Sequence, residues 1–503
     1  MKYVFDIETD GFLNQATKVH CIVLKNIDTN EILKLNNEEA IKKLEQADLI
    51  IGHNIIKFDM PVLQKFYDFK PKGKVFDTIV ATRLLYPDIK ERDFKRNDFP
   101  TNCIGRHSLI AWGHRVGNYK EVFETDWKEF SPAMLGYCVQ DVEVTHSLYS
   151  AIEKKGYSCQ AMELEHTVAS LIFKQERYGF MFDKDEAVKL YSKLNARRIE
   201  LEDELQKLFP PRVERTPFLP KVNNKARGYV KGVPFTKVKY KEFNLGSRQQ
   251  IAERLVLLGW KPKKFTDKKH TIVDEKVLSE IKNIPEAELI KKFLMLQKRI
   301  AQVSSWIEAI REDGRVHGKV ITNGTITGRM SHQSPNMAQI PAVYSPYGKE
   351  CRSLFTVPTG KKLVGIDISG LEVRLLAHFM SKFDEGEYSK VVLNGDIHSE
   401  TKKMVGLESR DLAKRFYYCF LYGGGVKKIA LVTGKSFKEA KKIKTRFLNN
   451  LPALNKLLTQ VQTAAERGYL IGLDKRQIKI RSVHAALNTL LQSSGAIVCK
   501  QWL

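Results

Sequence analysis

Apolar residues in the first 150 or so positions fall in short blocks, KYVFDI, HCIVLKN and DLIIGHN, separated by polar stretches of helical period such as EEAIKKLEQA. Short apolar blocks alternating with amphipathic segments predict an α/β domain, because buried strands read as brief apolar runs while the helices covering them bury only one face. From about residue 160 to 310 the period is helical, in ELEHTVASLIFKQERYGF and KKFLMLQKRIAQVSSWIEAI, and is broken by a long basic segment, KVNNKARGYVKGVPFTKVKYKEF. That combination predicts a helical arm carrying a loop. Beyond Asp313 the pattern turns mixed: VHGKVI and KKLVGIDI read as strands, and the rest as helices to the last residue. There is no internal repeat, and 503 residues suit about three domains.

Charge sharpens this outline. Lys and Arg number 83 against 58 Asp and Glu, a formal net charge of +25, and so large a basic excess on a globular chain answers a polyanion, with nucleic acid the leading candidate. No apolar run approaches the roughly 18 residues of a membrane span, and MKYVFDIETD carries no secretory signal, so a cytoplasmic setting is expected. Seven singly scattered cysteines, with no CxxC pair, suggest neither a disulfide framework nor a zinc site.

The first candidate chemistry lies in KYVFDIET. Asp6 and Glu8 stand two apart, which in a strand places both carboxylates on one face. Asp59 in HNIIKFDMP and Asp141 in YCVQDVEVT add two more acids, and four oxygen ligands suit a pair of Mg²⁺ ions able to hydrolyse phosphodiesters, with Mn²⁺ an alternative. Tyr137, four residues before Asp141, shares a helix face with it and is placed to orient a water. An isolated DxE at a strand end is more often a solvated turn; the ordered set DIETDG, HNxxxFD and YxxxD is not. That set resembles the three motifs of the DEDDy 3′→5′ proofreading exonucleases, whose domain is RNase H-like α/β. The resemblance implies that Asp6, Glu8, Asp59 and Asp141 are metal ligands and that Tyr137 orients the water. HSLIAWGHRVG also resembles such domains in phage polymerases of the T-seven type, but His107 is expected to be structural.

A second constellation begins at KKLVGIDISGLEVRLLAHFM, where Asp367 ends an apolar stretch just before a helix; a plain strand end with Ser369 capping the helix is the competing reading. In RDLAKRFYYCFLYGGG, Arg410, Lys414, Tyr418 and Tyr422 recur every fourth residue and form one helical stripe, cations at one end and rings at the other, which suits a nucleotide as well as an ordinary half-buried helix face. The order TITGRMSHQSPNMAQIP, DISGLEVRLLAHF, RDLAKRFYYCFLYGGG, HAALNTLLQSSGA resembles the palm and fingers of family A DNA polymerases, nearest to phage replicative enzymes of the T-seven type, and the likeness loosens only through about residues 200–240. It implies an α+β right-hand polymerase with thumb, palm and fingers, copying DNA from dNTPs on a primer-template. Carried over residue by residue, it makes Asp367, with the carbonyl of Ile368, a palm metal site, and Glu372 the steric gate against ribonucleotides. Arg410, Lys414 and His398 become triphosphate contacts, Tyr418 a ring beside the sugar that implies tolerance of dideoxynucleotides, and Tyr422 a ring near the templating base. Arg329, Asn336, Gln339, Asn488 and Gln492 become minor-groove contacts to the duplex.

The implied organisation is an exonuclease domain at 1–155, thumb and connecting helices at 156–310, the first part of the palm at 311–395, fingers at 396–475 and the start of a returning palm at 476–503. The family also carries a palm hairpin bearing His-Asp-Glu, and no such motif follows LNTLLQSSGA here. The palm is therefore expected to be incomplete at its C-terminal side, with the missing carboxylate supplied by a second polypeptide of a split enzyme or absent through truncation. Two other functions compete: an exonuclease with a DNA-binding but polymerisation-incompetent C-terminal half, and a non-catalytic DNA clamp. A processivity partner such as thioredoxin is a further expectation for the segment between about Leu208 and Phe243.

Overall fold

A computed structural model describes residues 1–119, 126–266 and 268–503. These divide into two compact units: residues 1–178, 319–332 and 365–503 form one, and residues 179–318 and 333–364 the other.

The first unit opens with a five-stranded sheet of order β3-β2-β1-β4-β5, built from β1 (Lys2–Thr9), β2 (Val19–Asn26), β3 (Ile32–Lys34), β4 (Leu49–Gly52) and β5 (Lys74–Asp77). β1 pairs antiparallel with β2 and parallel with β4, so the central strand is hydrogen-bonded on both sides, and its core residues Val4, Phe5 and Ile7 are almost fully buried. The apolar blocks are the strands for this reason. Helices α1 (Asn37–Gln46) and α2 (Asp59–Tyr67) cover one face, around Leu44, Ile50, Val62 and Leu63. The helix Pro132–Lys155 covers the other through Cys138, Val142, Leu148 and Ile152. It begins at Ser131, whose hydroxyl accepts from the Met134 N–H, with Pro132 at the first helical position.

The remainder of this unit is helical, with a core that includes Leu376, Met380, Phe416, Tyr417, Phe447 and Leu491. Two expectations fail here. KKLVGIDI is not a strand: residues 361–368 have no regular structure, and Leu363, Val364 and Ile366 are 68%, 75% and 71% exposed. A strand exists only when a neighbour takes its backbone N–H and C=O groups, and none of the described residues does so here. The helices predicted for the C-terminal region are interrupted by a hairpin, Tyr469–Ile471 against Gln477–Lys479, turning through Lys475 at φ 65°.

In the second unit the helices Lys184–Leu208 and Pro285–Glu308 pack together over Leu194, Leu201, Ile290 and Val303. The basic segment keeps its loop over residues 221–234 but ends in a strand, Phe235–Lys241, which pairs antiparallel with Arg212–Phe218 as a hairpin. The alternation of Val238 and Tyr240 with Lys237, Lys239 and Lys241 is a strand pattern that the density of lysines obscured. The strand expected over VHGKVI is broken as well, into Arg315–Val316 and Lys319–Ile321. Gly318 marks the break; a Cβ there would lie 2.6 Å from the Met337 side chain.

Candidate active sites

β1 carries Asp6 and Glu8 to its C-terminal end, with Glu8 buried and Asp6 half-buried. Ligand atoms of Asp6, Glu8 and Cys138 all lie within 4.8 Å of one another. Asp59 reaches the same place from the first residue of α2. It is 3% exposed and accepts a hydrogen bond from the backbone N–H of Ile7, the residue between the two strand acids. The turn before α2 is held by a further acid, Asp77, which accepts the N–H groups of Asn54, Ile56 and Ile79 at 2.9, 3.1 and 3.0 Å. Asn54 takes φ 67°, a left-handed conformation that asparagine tolerates. That is the local reason for the asparagine in HNIIKFD.

Asp141 completes the group from the helix Pro132–Lys155, almost fully buried and close enough to Asp59 for their charges to interact. Burial first, and the charges of Asp77 and Asp141 after it, push the Asp59 carboxyl up to about 7. Tyr137 sits one turn before Asp141, its ring edge-on to Trp127 at 5.8 Å. The sequence-predicted exonuclease residues are thus gathered from one strand and two helices. His107 lies outside this group beside Trp112, and burial, reinforced by Arg83 and Arg115, lowers its imidazole to about 3, so the ring stays neutral.

The second group lies around the helices Leu371–Asp384, Arg410–Leu421 and Ala486–Trp502. Glu372, in the first turn of its helix, accepts from Arg329 Nη2 at 3.0 Å, and the charges of Arg329, Glu372 and Asp367 all act on Cys499. Asp367 is exposed and Ile368 half-buried in the irregular segment. Ser369 does not cap the helix; Gly370 holds that position at φ 62° with no side-chain bond. The stripe on Arg410–Leu421 stands. Arg410 forms a bidentate pair with Asp396 at 2.6 and 3.1 Å, His398 lies 5.7 Å from the Tyr418 ring, and the rings of Tyr418 and Tyr422 stack at 6.2 Å. Burial, then Arg410 and, more weakly, Lys414, lower the His398 imidazole, so all three occupy one neighbourhood. The glycines end the helix as expected; at Gly424 a Cβ would lie 2.4 Å from Cys419 Sγ.

Asn488 and Gln492 are hydrogen-bonded to each other at 3.0 Å, one turn apart. In the other unit, Asn336 caps the short turn Met337–Gln339, and the Gln339 carbonyl accepts from Gln302.

Residues 228–503 match the model of DNA polymerase family A, and residues 5–156 that of a 3′-5′ exonuclease. The chain is a family A DNA polymerase. It is 36% identical to the DNA-directed DNA polymerase of Escherichia phage T7 over 99% of its own length and 89% of that protein, and equally similar to the enzyme of Enterobacteria phage T3. Among solved structures, the POL domain of Pol1 from M. smegmatis, in complex with DNA primer-template and dNTP, superposes on 99% of the chain at 17% identity with a TM-score of 0.69, a likeness of fold. The polymerase is accordingly a DNA-directed DNA polymerase with a 3′-5′ exonuclease domain, acting on DNA and dNTPs with divalent metal ions. None of its described helices is long and apolar enough to cross a membrane.

Some features of the polymerase were not foreseen. Cys138 stands beside the exonuclease acids, and its adjacency to Tyr137 and position three before Asp141 could have flagged it. Glu165, fully buried, accepts from Lys500 at 2.7 and 2.8 Å and from Arg476 Nη1 at 2.7 Å, and Arg476 also pairs with Asp474. Glu165 is more than 300 residues from both Arg476 and Lys500 in sequence, so no spacing rule reveals the network.

Proposed function

We propose that Asp6, Glu8, Asp59 and Asp141 hold the divalent cations of the exonuclease domain, with Mg²⁺ the working ion, and that Tyr137 positions the attacking water. The carrying observation is the position of Asp59, bonded to the N–H between the two strand acids and within electrostatic reach of Asp141. Four hard oxygen donors suit Mg²⁺, and an acid raised to about 7 by burial and like charge belongs to a cluster that a cation would relieve. Once bound, such ions lower the pKa of the attacking water and neutralise the leaving oxygen. The protein's own share is orientation: β1 fixes two ligands, the Asp77-bonded turn fixes the third, and Tyr137 presents its hydroxyl one turn from the fourth. Digestion of a 3′-labelled single-stranded oligonucleotide tests this reading. The Asp6→Ala, Glu8→Ala double variant should leave the label intact, and continued shortening would refute the assignment.

In the polymerase half, Asp367 with the Ile368 carbonyl is proposed as a palm metal site and Glu372 as the gate against the ribose 2′-hydroxyl. Arg410, Lys414 and His398 bind the triphosphate, Tyr418 and Tyr422 flank the nucleoside, and Arg329, Asn336, Gln339, Asn488 and Gln492 follow the duplex. The corresponding domains are those set out from the sequence, and the setting is a host cytoplasm. The second palm carboxylate is proposed to come from a second polypeptide. Exposure of Leu363, Val364 and Ile366 supports this, because an adjoining strand would cover them. Primer extension that appears only when the complementary palm segment is supplied would bear it out; full extension by residues 1–503 alone would refute it. The basic hairpin Arg212–Lys241 is the place proposed for any processivity partner of the thioredoxin type.

A further inference from the structure

The exonuclease cage contains one atom that Mg²⁺ chemistry does not use. Cys138 is fully buried on the helix that carries Tyr137 and Asp141, and its Sγ lies 3.4 Å from the backbone oxygen of Asp6 and 3.8 Å from Asp6 Oδ2. The sulfur, the Asp6 carboxylate and the Glu8 carboxylate lie within 4.8 Å of one another. In a tetrahedral site with metal–sulfur and metal–oxygen bonds of about 2.3 and 2.1 Å, the sulfur–oxygen edge is about 3.6 Å. The Asp6–Cys138 separation of 3.8 Å is nearly that edge already. Behind it stands Cys21, which pairs with Glu8 across the β1–β2 ladder and is hydrogen-bonded to Cys138, so the thiol is backed by a second sulfur rather than by solvent.

We propose that Cys138 joins Asp6 and Glu8 as a ligand for a soft divalent cation, Zn²⁺ or Cd²⁺, making the exonuclease site a thiolate-carboxylate site for such ions. The inference rests on the exonuclease reading above. Mg²⁺ demands octahedral oxygen coordination and gains nothing from sulfur, whereas Zn²⁺ and Cd²⁺ favour thiolate and accept four ligands. As the sulfur–metal bond forms, the S–H bond breaks and its proton passes to water; no electron is transferred. A soft ion so held competes with Mg²⁺ for Asp6 and Glu8 and arrests digestion.

Co²⁺ reports the ligand set directly. The wild-type chain is titrated with Co²⁺ in Mg²⁺-free buffer and its near-ultraviolet spectrum recorded, alongside Cys138→Ser, Cys138→Ala and Cys21→Ser; Cd²⁺ affinity is measured by competition with a chromophoric chelator. A sulfur-to-cobalt charge-transfer band in wild type and Cys21→Ser, lost in both Cys138 variants together with about 100-fold or more in Cd²⁺ affinity, is the expected result. Far-ultraviolet circular dichroism of each variant establishes that it is folded. Absence of the band in wild type, its persistence in Cys138→Ser, or its equal loss in Cys21→Ser overturns the proposal. The exonuclease reading fails separately, through digestion that survives removal of Asp6 and Glu8.

Discussion

Replacing Asp59 with asparagine removes a charge from the most crowded part of the exonuclease cage while keeping an oxygen to accept the Ile7 N–H. The carboxyl titrates near 7 in the folded protein against 3.8 as a free group, with burial the largest cause and Asp77 and Asp141 next. An acid raised by folding costs nothing below its unfolded value; the cost grows above pH 3.8 and is complete above about 7. At about 1.36 kcal/mol per pH unit, the rise from 3.8 to about 7 corresponds to about 4 kcal/mol, an upper limit because the three acids share it. In metal-chelated buffer, urea unfolding of the exonuclease domain should show stability falling between about pH 4 and 7 in wild type and much less in Asp59→Asn. The difference between the two curves isolates this residue from the other titrating groups. Millimolar Mg²⁺ should restore wild-type stability at pH 8 and leave the variant unmoved. Parallel pH curves for the two proteins would refute the argument that a costly acid cluster awaits a cation.

Tyr137→Phe keeps the ring against Trp127 and removes the hydroxyl, so the exonuclease kcat should fall by about 10²-fold with little change in KM, measured on single-stranded DNA. Glu165→Ala leaves Arg476 and Lys500 buried without their shared carboxylate and should destabilise the fold by roughly 3–5 kcal/mol in chemical denaturation. Arg410→Ala should weaken dNTP binding to the primer-template complex by about 10-fold or more, read by nucleotide titration, if its guanidinium exchanges Asp396 for the triphosphate. Primer-template affinity should fall steeply with salt, in line with the +25 net charge.

The exonuclease half was legible because its chemistry is local: Asp6 and Glu8 share a strand face, and Tyr137 and Asp141 share a helix face, so periodicity alone placed each pair. The convergence of Asp59 with them depends on the Asp77-bonded turn, which joins residues 21 to 23 positions apart, and only family likeness anticipated it. The stripe on the helix Arg410–Leu421 was legible for the same reason, since four-residue spacing survives in any helix. KKLVGIDI misled because a strand is a property of a pair, and its apolar pattern says nothing about whether a neighbour is present. The hairpin at 212–241 was hidden by lysines alternating with apolar residues on an exposed ribbon, where no core enforces a strand-like composition. The Glu165–Arg476–Lys500 network lay beyond reach because burial of charge is a tertiary fact, and each residue alone reads as surface.

The central claim, that four acids from one strand and two helices hold divalent cations together, is tested most directly by counting bound Mn²⁺ through electron paramagnetic resonance. Wild type should bind about two more ions with a single-stranded 3′ end present than does the variant in which Asp6, Glu8, Asp59 and Asp141 are all amidated. Equal ion counts for the two folded proteins would contradict it.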